Sequence, residues 1–243
     1  MPRKLSPAAR FACWFAAYAG GRTSLDEALD AIVGDDAAHH LVGLEADSAE
    51  ASPLALGLGR LRALGVDYVM LALPAAGDPA GLAGPADFNA EAVDTGEAVI
   101  LDGAGVGLVP VQVGSGVFWQ VRPAAAPPPP DLGEADRGLR GVLREVADTL
   151  AELDVARWHP EVADALLNLR RAGSPDLPPG MDPRAVALAT TAARCRVIVD
   201  LAWDTAGAGV TALEADARAE SLRPLDRAAR RGLAAACSGP PSR

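Results

Sequence analysis

The run Pro123-Ala-Ala-Ala-Pro-Pro-Pro-Pro130 limits the fold of this chain more than any other segment. Proline has a fixed φ and no backbone N–H, so four in a row can join neither a helix interior nor a central strand. The run is expected to lie as polyproline II, a semi-rigid spacer of about 3.1 Å per residue. Strand-like patterns occur only before it, and helical periodicity dominates after it. Charge changes there too: residues 1–122 hold 7 basic and 15 acidic groups, and residues 123–243 hold 15 and 17. The fold class is therefore expected to be α+β. N-terminal helices and a small, mainly antiparallel sheet fill residues 1–122, a Pro-rich linker spans 123–132, and an antiparallel helical bundle spans 133–243.

In the front half, Pro7 to Ala19 reads as a helix stopped by Gly20-Gly21. Ser24-x-x-Glu27 is a capping box opening a second helix with Leu25, Leu29, Ile32 and Val33. Asp35 or Asp36 is expected to start a short helical turn through His40. Residues 54–64 suggest a further helix. Val66 to Leu73 is the clearest strand, apolar enough to be buried on both faces. Pro74 to Pro85 reads as a long loop, and Phe88 to Val93 as a helical turn. Strands follow at 98–101, 108–113 and 117–121, the last two joined as a hairpin at Gly114-Ser115-Gly116. Pro110 places its strand at an edge or a bulge.

In the rear half, Leu139, Val142, Val146, Leu150 and Leu153 keep a three-four spacing. Pro160 opens a helix with Val162, Leu166 and Leu169, and Asp182-Pro183 supplies an N-cap and first-turn proline for another. Thr211-x-x-Glu214 caps the last region, which Pro224 is expected to break or kink.

Composition excludes several chemistries. The only lysine is Lys4, which removes a phosphate-loop lysine, a Schiff-base lysine and a Ser-x-x-Lys nucleophile together. A net charge of −10 argues against nucleic acid, because phosphate neutralisation needs surplus positive charge. Alanine supplies 52 residues against ten aromatics, which points to a helix-rich core of small side chains. Cys13, Cys195 and Cys237 are too far apart in sequence for a disulfide framework or metal knuckle, and are expected to be reduced thiols in a cytoplasmic protein. No apolar run is long enough to span a bilayer. Ala17-Tyr18-Ala19 mimics a signal-peptidase site, but the preceding bulky residues are one-sided, which favours an amphipathic helix.

Asp35, Asp36, His39 and His40 form the most suggestive cluster. On a helix each acid faces a histidine at i, i+4, and carboxylate with imidazole is metal-ligand chemistry. A solvated helix face accounts for the same residues with fewer assumptions. Phe11, Trp14, Phe15 and Tyr18 line one helical face; core packing is the first reading and a partner-docking face the second. Gly103-Ala-Gly-Val-Gly107 lacks the spacing and the following helix of a phosphate loop and reads as a turn. Ser115 and His159 read as structural. Arg196, Asp200 and Asp204 make a salt-bridged stripe. Two arginine stripes, Arg137/Arg140/Arg144 and Arg223/Arg227/Arg230/Arg231, read as solvated bundle faces.

Four stretches, Gly84-Pro-Ala-Asp-Phe-Asn-Ala-Glu-Ala92, Gly107-Leu-Val-Pro110, Leu153-Asp-Val-Ala-Arg-Trp-His-Pro-Glu-Val162 and Leu222-Arg-Pro-Leu-Asp-Arg-Ala-Ala-Arg230, resemble a family of uncharacterised actinobacterial proteins. The resemblance covers both halves and implies a host, not a chemistry. The expectation is a non-catalytic cytoplasmic interaction or regulatory protein with no cofactor, a protein partner or self-association, and neither nucleic acid nor membrane as target. The alternative is a metabolite- or metal-binding enzyme with its site in the crevice between the halves, near the loops Pro74–Pro85 and Asp102–Gly107, with His39, His40, Asp35, Asp36 or His159 contributing.

Overall fold

A computed structural model describes residues 5–44, 50–152, 174–206 and 212–241. Among these lie seven helices and one six-stranded sheet. The front half contains helices α1 (Pro7–Ala19), α2 (Leu25–Val33), α3 (Leu54–Ala63) and α4 (Ala86–Thr95). Its strands are β1 (His39–Val42), β2 (Ser52–Pro53), β3 (Tyr68–Ala72), β4 (Ala98–Asp102), β5 (Val106–Val113) and β6 (Gly116–Pro123). The rear half supplies α5 (Leu132–Glu152), α6 (Pro183–Ala206) and α7 (Ala212–Cys237). The expected α+β class, mainly antiparallel sheet and C-terminal helices are all present. The expected helix at residues 160–169, His159 and the Thr211 cap lie outside the described residues.

Strand order is β2-β1-β6-β5-β4-β3, antiparallel throughout except that β1 runs parallel to β6. The strand alternation divides the apolar residues between two faces. Val69, Leu71, Val99, Leu101, Leu108, Val117 and Trp119 face α1 and the rear helices. Met70, Ala72, Ala98, Ile100 and Val109 face α4, where Phe88 and Ala92 cover them. Gly107 leaves the space that the Phe88 ring occupies.

The capping box is complete: Glu27 N–H donates to Ser24 Oγ at 3.2 Å, and Ser24 N–H donates to Glu27 Oε2 at 3.0 Å. Asp182 accepts from the Arg184 N–H at 2.8 Å and caps α6, as its Asp-Pro start implies.

Three expectations are corrected, and the one for Pro110 is met only locally. Residues 39–40 form a strand rather than a helical turn, because His39 and Leu41 are buried in register with Val117 and Trp119. The segment at residues 86–95 is a full helix. Pro110 sits in a central strand, opposite Trp119 of β6; β4 pairs only with Val106 to Leu108, so β5 is locally an edge at the proline. Pro224 does not break α7, which continues through it. Its missing N–H costs about 3 kcal/mol, and buried Leu222 and Leu225 on either side anchor the helix through it.

The proline run does separate strands from helices, but the two halves are not held apart. One core contains α1 residues Phe11 and Phe15 together with Leu188, Ala192, Leu225 and Leu233 of the rear helices. The chain end then returns to the sheet. Val69 and Gly239 exchange N–H···O bonds at 2.9 Å in both directions, and Ser238 Oγ accepts from Leu71 N–H at 2.9 Å. The open edge of β3 is thereby covered, as an unpaired strand requires.

Candidate functional site

Two polar networks and one groove carry the polar chemistry of the described residues. The first network joins α1, the α2–β1 connection and the sheet. Arg10 Nη2 donates to Asp36 Oδ2 at 2.6 Å, and His39 Nε2 lies 3.0 Å from the same oxygen. On the other side of the imidazole, Trp119 Nε1 donates to His39 Nδ1 at 3.2 Å. The indole is donor only, so Nδ1 must be unprotonated, and Nε2 carries the proton given to Asp36. Burial lowers the His39 pKa, outweighing the opposing pull of Asp36. Burial alone would raise the Asp36 carboxyl, but hydrogen bonds from His39 and Arg10 and the Arg10 charge bring it below its ordinary value. Gly34, at φ 59°, leaves the space that the Arg10 guanidinium fills.

Of the four metal candidates, the structure brings Asp36 and His39 together and parts them from His40. Consecutive strand residues point to opposite faces, and His40 stacks on Phe118 at 5.3 Å. Among the described residues no group of three or more His, Cys, Asp or Glu side chains is placed to hold a metal ion. Of the aromatic face, Phe11, Phe15 and Trp14 are buried; the Phe11 and Trp119 ring centroids lie 4.7 Å apart. Tyr18 keeps some exposure and packs under the Arg62 guanidinium.

The second network ties the rear half to the front. Arg230 of α7 is 6% exposed. Its Nη1 donates to the Leu73 carbonyl at 2.7 Å, its Nη2 to Asp78 Oδ2 at 3.0 Å, and its Nε to Asp226 Oδ2 at 2.8 Å. Arg231 Nη2 donates to Asp78 Oδ1 at 3.1 Å, and Arg227 Nε lies 3.4 Å from Asp78 Oδ2. Three guanidiniums thus converge on one carboxylate. Burial would raise the Asp78 pKa, yet the hydrogen bonds from Arg231 and Arg230 carry it below its ordinary value.

This network forms one wall of a groove of about 780 Å³ between the halves. Met70, Leu71, Leu73 and Leu139 border it but are only 1–3% exposed; its open surface comes from half-buried Val142, from Pro127, Pro128 and Pro130, and from Arg223, Arg227 and Arg231. Asp131 and Glu134 also line it; Asp131 caps α5 by accepting from the Glu134 N–H at 2.6 Å. Four arginines within nine residues of α7 were the sequence signal for this wall. Reading them as a solvated face missed it, because their buried partner, Asp78, lies in a loop 152 positions from Arg230.

A smaller cavity of about 300 Å³ is lined by Cys13, Arg22, Tyr68 and Cys237. A hydrogen bond with Cys237, and then burial, push the Cys13 thiol well above its ordinary pKa. Glu97 is half-buried beside the start of α1, where Oε2 accepts from the Ala8 N–H at 3.1 Å; loss of solvation raises its pKa despite that bond.

Fold and site together define a two-part α+β protein with a groove at the junction of its parts that arginine, carboxylate and proline side chains line. It belongs to the Rv1486c-like family: the family's N-terminal domain matches residues 8–136 and its C-terminal domain residues 133–234. No curated protein and no solved structure matches the chain. No helix among the described residues is long and apolar enough to cross a membrane.

Proposed function

We propose that this protein is a non-catalytic, cytoplasmic binding protein of regulatory type, and that the groove between its halves is where it takes a partner molecule. The groove carries this reading. Its wall presents guanidiniums fixed by Asp78, and its surfaces come from β3, the 73–81 loop, the proline run, α5 and α7. An occupant would touch both halves and favour one arrangement of them. The His39 network supports binding over catalysis, since both imidazole nitrogens and the Asp36 carboxylate are engaged in holding α1 to the sheet. The free, buried state of Cys13, Cys195 and Cys237 fits a reducing compartment. Arginine in place of lysine, with abundant alanine, fits an actinobacterial, GC-rich host.

Gly138 lines the groove from α5, and a Cβ there meets nothing within 4 Å, so Gly138→Trp fills the groove without clash at its base. A photocrosslinker placed at Ala80 in the full chain, expressed in an actinobacterial host, is expected to capture a defined species that Gly138→Trp abolishes. Capture indifferent to Gly138→Trp, or turnover of a small molecule that depends on His39 or Asp36, overturns the reading.

A further inference from the structure

We propose that Cys13 and Cys237 form an oxidation site at which hydrogen peroxide joins them in a disulfide, with Cys237 as the attacking thiol and Cys13 as the resolving one. The pairing comes from the smaller cavity. Cys13 lies in the middle of α1 and Cys237 is the last residue of α7, yet both line this one space of about 300 Å³ and are hydrogen-bonded to each other. Two thiols in hydrogen-bond contact need only side-chain rotation to reach the S–S length of about 2.0 Å. Cys195, the third thiol, does not line the cavity. The site is separate from the groove, and the proposal does not depend on what the groove binds.

The roles come from position and protonation. Exposed Pro130, Gly180 and Pro240 form the rim of the cavity, and Cys237 leads directly into the tail residues Ser238, Gly239 and Pro240 that also line it. Peroxide is little larger than water, whose share of liquid volume is about 30 Å³, so the space admits it. The hydrogen bond with Cys237, and then burial, keep the proton on Cys13, which leaves Cys237 to attack. Its sulfur takes one peroxide oxygen: the S–O bond forms, the O–O bond breaks, and the other oxygen leaves as water with the Cys237 proton, giving a sulfenic acid. The Cys13 sulfur then attacks the Cys237 sulfur. The S–S bond forms, the S–O bond breaks, and a second water leaves with the Cys13 proton. The two thiols lose two electrons and the peroxide gains them. The bond ties the end of α7 to α1 just before Ser238 and Gly239, which cover the β3 edge. Disulfides of reducing compartments are mostly of this transient, redox-sensing kind.

Treating the reduced full chain with hydrogen peroxide, then mapping its peptides without reductant by mass spectrometry, tests this. A Cys13–Cys237 cross-linked peptide is expected within single chains, with an intact mass lower by two hydrogens. The urea midpoint is expected to rise and to return with dithiothreitol, since a cross-link between such distant positions restricts the unfolded chain. In Cys13→Ser the reaction is expected to stop at a Cys237 sulfenic acid that dimedone traps, and in Cys237→Ser dimedone is expected to leave Cys13 unlabelled. No link in the folded wild-type chain, a link to Cys195 instead, or dimedone at Cys13 in Cys237→Ser overturns the proposal. The wild-type map decides the pairing even where a serine variant folds poorly.

Discussion

Arg230 Nη1 donates to the carbonyl of Leu73 at 2.7 Å, across 157 positions of sequence, at the end of the strand that the C-terminal tail also borders. A buried guanidinium is tolerated there because all three of its nitrogens are bonded. This contact makes the junction between halves specific as well as apolar.

Removing one member should therefore cost far more than an exposed ion pair would. Asp78→Ala leaves the buried Arg230 Nη2 without its partner while Asp226 still holds Nε, and a loss of about 1–3 kcal/mol is expected in urea unfolding. Arg140→Ala removes the exposed bond to Asp136 and is expected to cost under about 0.5 kcal/mol. Comparable losses in the two variants would refute the buried role of Asp78.

The His39 network sets an acid dependence. His39 is held below its ordinary value of 6.5, so the unfolded chain takes up a proton first as pH falls, and stability drops from about pH 6.5 downward. Asp36 and Asp78 are also lowered, and their contribution is lost below the ordinary value of 3.8. Glu97 has the opposite sign: raised above 4.5, it contributes below that pH and loses the contribution as pH rises through its folded value. Chemical unfolding of His39→Gln from pH 7 to 5 should show a flatter slope than wild type. An unchanged slope would mean that His39 does not titrate as its surroundings require.

The fold was legible where local chemistry decides it. Pro7, the Ser24–Glu27 box, Asp182-Pro183 and the near-continuous apolar run in Val66 to Leu73 each act within a few residues, and the elements follow. Residues 39–40 were misread because two acids four positions ahead of two histidines suit a helix, whereas pairing with β6, almost eighty residues later, decides the matter. The same distance hid the site. Nothing near Asp78 announces three arginines, and nothing near Arg230 announces Leu73. Sequence patterns report periodicity; partners brought together by packing are silent until the fold is known.

Gly34 offers a test of the Arg10 anchor. Its φ of 59° strains any side chain, and a Cβ would run into the buried Arg10 guanidinium. Gly34→Ala is expected to lower stability by more than the roughly 1–3 kcal/mol typical of backbone strain, since Arg10 must also leave Asp36. Gly21, at φ 75° with nothing within 4 Å of a Cβ, is the control that carries backbone strain alone. Equal losses in Gly34→Ala and Gly21→Ala, measured by thermal unfolding, would show that Arg10 moves aside freely.

Cys13 and Cys195 should be inert toward alkylation in the native protein and reactive once it unfolds. The thiolate is the attacking species, and burial pushes Cys195 up to about 11 from its ordinary 9.0, while Cys13 is raised by Cys237 and by burial. Iodoacetamide at pH 8 is expected to leave Cys13 and Cys195 unmodified in buffer and to alkylate both in urea, read by intact mass. A raised folded pKa also means that stability is full below pH 9 and falls as pH rises toward 11, because the unfolded thiol ionises first. Cys195→Ala should remove part of that alkaline loss. Rapid native alkylation of Cys195, or an alkaline profile unchanged in Cys195→Ala, would contradict its burial between the rear helices and the rest of the core.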